Sequence, residues 1–228
     1  MQLLEQRERS SHELPLTDDE LRDFRNWREE RNQSKKIIVG MSGASGAQYG
    51  IRILEELSKM PRMETHLVTS DNTRLITKYE MGFTQDQHEE VMNLATVRYG
   101  YRQMEAAISS GSFKSEGMII APCSVKALEQ IANANDENLL ARAAFCTLKE
   151  GRKLVLVPRE PSVTKAYLEN CLRVIDNGGT IVFPEPAFYN QPMTVDDLIN
   201  QTVQRVLDKF GIEANLFHRW ETPSEDLE

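Results

Sequence analysis

The sequence has few cysteines, no long hydrophobic run and no excess of positive charge, and each shortage excludes a class of protein. Its 228 residues include three cysteines, Cys123, Cys146 and Cys171, too widely spaced for a disulfide framework or a CxxC metal motif. No apolar run approaches the roughly 20 residues that span a bilayer. The formal net charge of −8 disfavours nonspecific binding to nucleic acid or anionic lipid. We therefore expect reduced cysteines and no membrane span.

Signatures of metal and hydrolase sites are missing as well. No histidine is paired with another histidine or a cysteine at the spacing of three or four residues that is typical of zinc sites. No G-x-S-x-G elbow supports a serine hydrolase. Cys123 follows an apolar run without a histidine at a recognisable offset, so we interpret it as a packing residue. The sequence predicts no metal site.

From Lys36 onward, short apolar runs alternate with amphipathic ones. The apolar runs predict five strands, at 36–41, 64–70, 117–124, 153–160 and 180–186. Helical periodicity predicts helices at 47–60, 72–80, 125–133, 137–151 and 164–178. A last helix opens on Thr194 and stops at Gly211, and one helix near "YRQMEAAIS" is expected within the polar segment 84–116. This alternation predicts an α/β fold, a doubly wound parallel sheet in a flavodoxin-like or Rossmann-like three-layer sandwich.

Residues 1–35 precede this pattern and are interpreted as an extension appended to a domain of residues 36–228. Thr17 and Glu20 match a capping box, which predicts a short N-terminal helix that packs on its own or a neighbouring subunit. The extension lacks the apolar core of a signal peptide and the composition of a transit peptide. We therefore expect a cytoplasmic protein.

Chemically useful side chains follow the predicted strands. They are Ser42 and Ser45 after the first strand, Ser70 after the second, Ser124 after the third, Arg159 and Glu160 after the fourth, and Tyr189 beyond the fifth. In doubly wound folds, ligands bind at the carboxyl ends of the strands. The sequence therefore predicts one ligand site along this edge of the sheet.

The loop "VGMSGASGAQYG" at 39–50 begins that edge. Its glycines are spaced G-x-x-G-x-x-G, unlike the dinucleotide fingerprint, and it lacks the lysine of a Walker A loop. What remains suits the close approach of a planar or phosphorylated ligand to a helix N-terminus. On its own, the loop is equally compatible with a tight structural turn.

Several cations are expected to converge near the strand ends as an anion site. Arg142 and Lys149 lie seven residues apart on one predicted helix, so both can face the same way. Arg159 ends a buried strand, and Arg205 lies on an otherwise core-facing stretch. Arginine binds phosphate bidentately and lysine adds a point charge. Glu160, beside Arg159, either moves protons or serves as its counter-ion.

Six segments in order and in register resemble the flavin prenyltransferases, the UbiX/Pad-type proteins that are often described as a component of phenolic acid decarboxylases. They are "GMSGASGAQYG" (40–50), "ISSGSF" (108–113), "APCSVKAL" (121–128), "NLLARAAFCTLKEGRKLVLVPRE" (138–160), "PAFYNQP" (186–192) and "DDLINQTVQRVLDKFGI" (196–212). The resemblance runs from about Lys36 to Trp220. It implies a flavodoxin-like homo-oligomer, a dodecamer, with the active site between subunits.

The resemblance also implies the chemistry. Such a chain binds reduced FMN and dimethylallyl monophosphate or diphosphate, and it needs no metal. It joins the prenyl unit to flavin N5 and C6, and the product, prenylated FMN, serves a separate UbiD-type decarboxylase.

Site residues follow by position in the matched segments. The FMN contacts implied are Gly43, Ala44, Ser45, Ser70, Ser124, Val125, Lys126, Ala127 and Arg159. The prenyl phosphate is held by Arg142, Lys149, Tyr189 and Arg205, with Glu80 and Trp220 closing over the site. The catalytic residues implied are Ser45, Lys149, Arg159 and Glu160, with Glu160 transferring protons. Departures from the family pattern occur at Phe145, often Asp, at Ala127, usually a hydroxyl residue, and at Tyr167, commonly His.

Three alternatives stay open at this point. One is a non-catalytic flavin carrier or accessory subunit of an aromatic acid decarboxylase. Another is a related FMN-dependent cysteine decarboxylase, although "APCSVKAL" stands where that class carries a Pro-Ala-Ser-Ala-Asn-Thr run. A direct phenolic acid decarboxylase is the third.

Overall fold

The computed structural model describes residues 34–219, together with Thr17, Asp19 and Arg22. Contacts divide the chain into two units, Met1–Lys35 and Lys36–Glu228. In the first unit, Asp19 and Arg22 are helical and their side chains form an ion pair of 3.0 Å. Glu20 of the predicted capping box lies outside the described residues, so the N-terminal helix stays a prediction.

Between residues 34 and 219 the second unit forms a single parallel sheet in the order β3-β2-β1-β4-β5-β6. The strands are β1 (Lys35–Met41), β2 (Met63–Thr69), β3 (Val97–Tyr99), β4 (Gly117–Cys123), β5 (Lys153–Pro158) and β6 (Thr180–Ile181). The helices are α1 (Ala47–Ser58), α2 (Thr73–Met81), α3 (Gln85–Met92), α4 (Val125–Ala132), α5 (Leu139–Lys149), α6 (Lys165–Asp176) and α7 (Val195–Asp208), with a 3₁₀ turn at Ala107–Ser109.

This strand order confirms the predicted doubly wound α/β fold and is the order of Rossmann folds. The direction of winding reverses between β1 and β4, which lie side by side with Val39 opposite Ile119. A crevice opens at the carboxyl ends of the two strands where the winding reverses. None of the helices in the described part of the chain is long and apolar enough to cross a bilayer.

The prediction of five strands was wrong at two places. The edge strand β3, preceded by α3, lies in the polar segment, and the helix expected near "YRQMEAAIS" is only the 3₁₀ turn. The last predicted strand, 180–186, is reduced to β6. Val182 still donates to Leu156 O (2.9 Å), but Pro184 and Pro186 have no N–H to continue the ladder.

Alternate side chains of the strands feed two cores, one on each face of the sheet. Ile37 and Val39 of β1 pack with α1 and α7, whereas Ile38 packs with α4, α5 and α6. Helix α1 lies very close to β4: a methyl group at Gly50 would overlap the Ala121 carbonyl oxygen, so only glycine fits at this position. This packing places the start of α1 beside the crevice.

Candidate active site at the strand ends

A buried serine joins the ends of the two central strands. The Ser42 hydroxyl donates to Pro122 O (2.8 Å) and accepts from the Ser124 N–H (2.7 Å). The Ser70 N–H donates to Met41 O (2.9 Å), which draws the loop after β2 to the same edge. The predicted strand-end residues of β1, β2 and β4 therefore lie side by side. Ser42 itself is buried and structural.

The loop after β1 is fitted tightly against the loop after β2. A methyl group at Gly43 would lie 2.7 Å from Asn72 Cβ and 3.4 Å from the Ser70 hydroxyl. Ala44 is half-buried and Ser45 is exposed. A floor without side chains, lined by hydroxyl groups, suits a flat ligand with polar edges, so the residues present fit a flavin.

Glu80 occupies the N-terminus of α1. Its Oε2 accepts from the N–H groups of Gly46 (2.9 Å) and Ala47 (3.2 Å). A carboxylate is stabilised there by the unpaired N–H groups and the helix dipole. The sequence predicted that a ligand would approach this helix end, whereas in the structure a side chain of α2 fills it.

The residues after β4 divide between capping and exposure. The Ser124 hydroxyl is the N-cap of α4 and accepts from the Ala127 N–H (3.2 Å). Val125 and Lys126 are exposed in the first turn, while the Ala127 side chain is buried. A methyl group in the core accounts for the absence of a hydroxyl at Ala127.

Arg159 and Glu160 complete the edge after β5. The Arg159 N–H donates to Cys123 O (3.2 Å), which holds this segment against the end of β4. Burial raises the pKa of Tyr49 on α1, and the nearby charge of Arg159 opposes that rise. Glu160 is exposed, and within the described residues no ion pair joins it to Arg159. The structure therefore offers no support for Glu160 as the counter-ion.

Cys123 is fully buried, and burial strongly raises the pKa of its thiol. Since the thiolate is the nucleophilic form, this position is unsuited to attack on a substrate. The structure agrees with its interpretation as a packing residue. Across the described chain, no group of three or more His, Cys, Asp or Glu residues is placed to hold a metal ion.

Lys149 lies at the opposite edge of the sheet. It ends α5 and shares a cavity of about 180 Å³ with Ala132 and Asn177, which stand at the ends of α4 and α6. These helices return to the amino ends of the strands, whereas Arg159 follows the carboxyl end of β5. Within one chain, Lys149 therefore lies away from the strand-end serines, because α5 crosses the sheet before β5 begins.

Arg142 lies two turns before Lys149 and is held by neighbouring groups. Its Nε donates to Ser109 O (3.2 Å), and its guanidinium pairs with Asp136. The side chain is partly exposed. Arg142 is therefore held in place by groups of its own chain.

The loop after β6, which carries Tyr189, is hydrogen-bonded to α7, which carries Arg205. Gln201 Nε2 donates to Ala187 O (2.8 Å) and to Asn190 Oδ1 (2.7 Å), which fixes the loop that carries Tyr189. Arg205, one turn further along α7, lines a cleft of about 590 Å³ with residues 181–183 and 185–187. Arg205 is exposed, between the buried Val203 and Val206. Trp220 lies outside the described residues.

One part of this edge was not foreseen. A cavity of about 590 Å³ opens at the ends of β2 and β3, beside Ser70 and lined by Arg74, His88, Tyr99 and Tyr101. The irregular segment 84–101 carried no sequence signal for it. The strand-end site therefore extends further toward β3 than the sequence indicated.

Comparisons with known proteins identify the family. The Flavoprotein family model matches residues 25–207. The flavin prenyltransferase UbiX of Thauera aromatica is 47% identical over 193 residues, 85% of this chain and 97% of the relative. The chain belongs to the UbiX flavin prenyltransferase family.

Solved structures of UbiX-type proteins share the fold along their whole length. A dodecameric FMN-dependent UbiX-like decarboxylase from Escherichia coli O157:H7 superposes with a TM-score of 0.79 at 45% identity, covering 82% of this chain and all of that one. AnUbiX, solved in complex with FMN and dimethylallyl pyrophosphate, gives a TM-score of 0.80 at 39% identity, covering 84% of this chain and all of its own.

Proposed function

We propose that this chain is a flavin prenyltransferase, which joins the dimethylallyl group of dimethylallyl monophosphate or diphosphate to N5 and C6 of reduced FMN. The observation that carries the proposal is the strand-end edge of a UbiX-family chain, with Gly43, Ser45, Ser70, Ser124 and Arg159 side by side. Residues 36–228 form the catalytic domain, and residues 1–35 are an extension to it.

FMN binds along the carboxyl ends of β2, β1, β4 and β5. When bound, reduced FMN supplies the nucleophilic atoms of the reaction. The closely packed floor at Gly43 and Ala44 lets the flat ring approach the backbone, with Ser70 and Ser124 to Ala127 on either side. The Ser45 hydroxyl, which is exposed just before α1, would be available to the ligands at this edge.

The prenyl phosphate is held by cations. Departure of phosphate from an allylic carbon develops negative charge on oxygen, which Lys149, Arg142 and Arg205 stabilise and Tyr189 orients. Glu80 and Trp220 are assigned to the same ligand by the resemblance to the family. Glu160, exposed beside Arg159, would serve as the group that accepts and donates the proton in the reaction.

A complete site needs two or more copies of the chain. Lys149 and Arg159 lie beyond opposite ends of β5, whose six residues span about 17 Å at the usual rise of a strand. A neighbouring subunit therefore brings its Lys149 to the strand-end site of the first. A dodecameric homo-oligomer, like that of the E. coli relative, provides such contacts.

The product, prenylated FMN, passes to a UbiD-type decarboxylase, and the enzyme works in the cytoplasm without a metal. The three cysteines are free and buried, which suits a reducing compartment.

Mass spectrometry of the flavin tests the proposal. The purified protein is incubated anaerobically with reduced FMN and dimethylallyl monophosphate, or with diphosphate in a parallel sample. A gain of one prenyl unit in mass is expected, and none without the donor. Unchanged flavin, with a decarboxylase still activated on mixing, would instead identify a flavin carrier.

A further inference from the structure

Tyr167 has a buried hydroxyl that the fold itself does not use. The residue lies in the first turn of α6, its side chain is 4% exposed, and its backbone N–H is bound by the N-cap Thr164. Among the described residues, its Oη has no hydrogen-bond partner of ordinary geometry. A buried hydroxyl without a partner lowers stability, and it is free to bind a group that ligand binding brings close.

Tyr167 belongs to an apolar cluster of the core. Tyr167 packs in one cluster with Cys123 of β4 and Cys171, one turn along α6. Burial raises the pKa of both thiols, so they are neutral at physiological pH, and a thiol is a weak hydrogen-bond partner.

Glu160 is the acidic residue that acts on this phenol. Burial, followed by the neighbouring Cys171, Cys123 and Glu160, raises the pKa of Tyr167 to about 12. The phenol is therefore a protonated donor throughout the working pH range.

The strand register connects this cluster to the end of β5. Cys123, which belongs to the same buried cluster as Tyr167, lies opposite Pro158 in the sheet and its carbonyl accepts from the Arg159 N–H. Glu160 is the next residue along and is exposed.

We propose that Tyr167 is a positioning residue for Glu160: when the site is filled, its hydroxyl donates to the Glu160 carboxylate and keeps it ionised and aimed at the flavin. The inference rests on the proposed function. Ligand binding excludes water from the exposed carboxylate, which then gains from a protein donor. The family's more common His at this position would supply an N–H donor in the same place.

A double-mutant cycle tests the pairing. Tyr167→Phe is expected to lower kcat for prenylation about tenfold, with little change in KM for the prenyl phosphate, because a hydrogen bond to a charged group is lost. The acid limb of its pH–rate profile moves to higher pH, since the donor favours the charged form. In a Glu160→Gln background the same change is expected to have little further effect. Tyr167→His, which keeps a hydrogen-bond donor, is expected to be more active than Tyr167→Phe.

Two measurements do not depend on turnover. With FMN bound, infrared difference spectra against Glu160→Gln follow the Glu160 carboxylate, which is expected to protonate at higher pH in Tyr167→Phe than in the original protein. The melting temperature of Tyr167→Phe is unchanged or higher, because an unpaired hydroxyl is removed. Tyr79→Phe, at an exposed position of α2, is the control and leaves kcat unchanged.

If Tyr167→Phe has the same pH–rate profile and the same infrared titration as the original protein, the inference is wrong. The proposed transferase function would still stand. If the original protein makes no prenylated flavin, the proposed function fails. The infrared titration then decides the pairing by itself.

Discussion

The Glu80 carboxylate on α2 accepts a hydrogen bond of 2.9 Å from the backbone N–H of Gly46, the N-cap residue of α1. The contact joins residues 34 positions apart and fixes the loop that carries Ser45. A glutamate therefore performs the capping that a serine or aspartate at the N-cap usually provides.

Replacement of Glu80 by alanine is expected to lower the free energy of unfolding by about 1–2 kcal/mol, the usual cost of a lost N-terminal cap. Urea denaturation measures it. Glu90→Ala, at an exposed position of α3, is the control and changes stability little. Equal stability of the two variants would show that the capping contact contributes nothing.

Substitution of Gly43 by alanine is expected to weaken FMN binding and to lower stability by about 1–3 kcal/mol, because the new methyl group crowds Asn72. Quenching of flavin fluorescence reports the binding. Gly100→Ala serves as the matched control, since its methyl group would meet only Gln103 Cβ at 3.9 Å. Normal FMN affinity in Gly43→Ala would argue against a flavin at this floor.

Lys149→Ala is expected to retain FMN and to slow prenylation by a barrier increase of about 2.7–4 kcal/mol. Arg205→Ala is expected to behave alike. Single-turnover kinetics with saturating FMN measure both. A rate equal to that of the original protein in either variant would contradict its assignment to the phosphate.

Mixed oligomers provide a test of shared sites. Lys149→Ala and Arg159→Ala chains are each expected to be nearly inactive alone, but random mixing restores both residues in about one quarter of sites. Activity should therefore return after co-refolding or co-expression. Were each site built from one chain, no mixture would recover activity.

His88 gives a pH dependence of stability. Its Nδ1 lies 3.0 Å from the Thr77 hydroxyl, and burial lowers its pKa. The folded protein thus binds this proton less readily than the unfolded chain does, so stability falls as pH drops below the unfolded pKa. In His88→Gln the loss of unfolding free energy between about pH 7.5 and 5.5 should be smaller than in the original protein. Urea denaturation at both pH values measures the difference.

The sequence predicted the central strands and long helices because each buries a continuous apolar face. The two outer strands of the sheet were harder to predict. β3 has three residues and partners only β2, so its apolar signal is weak, while α3 is recognisable mainly by the Thr84–Gln87 capping box. At the other edge, Pro184 and Pro186 give an extended, apolar pattern that cannot pair as a strand.

The sequence predicted the positions of residues that directly follow strands, because parallel strands end at the same side of the sheet. It did not predict at which side of the sheet the end of a helix lies. Ser45, Ser70, Ser124 and Arg159 follow strands and are therefore assembled by the topology. Lys149 precedes a strand, and helical spacing alone says nothing about which edge it reaches. The Glu80 contact and the buried Tyr167 hydroxyl come from packing between elements distant in sequence, for which a single sequence holds no local signal.

The buried thiols have a further consequence for a protein that handles reduced flavin. Reduced flavins react with oxygen and release hydrogen peroxide, which oxidises cysteine through its thiolate. Burial raises the pKa of Cys123 and Cys171 and keeps both away from solvent. The thiols nearest the strand ends are thereby protected from the oxidant most prone to arise there.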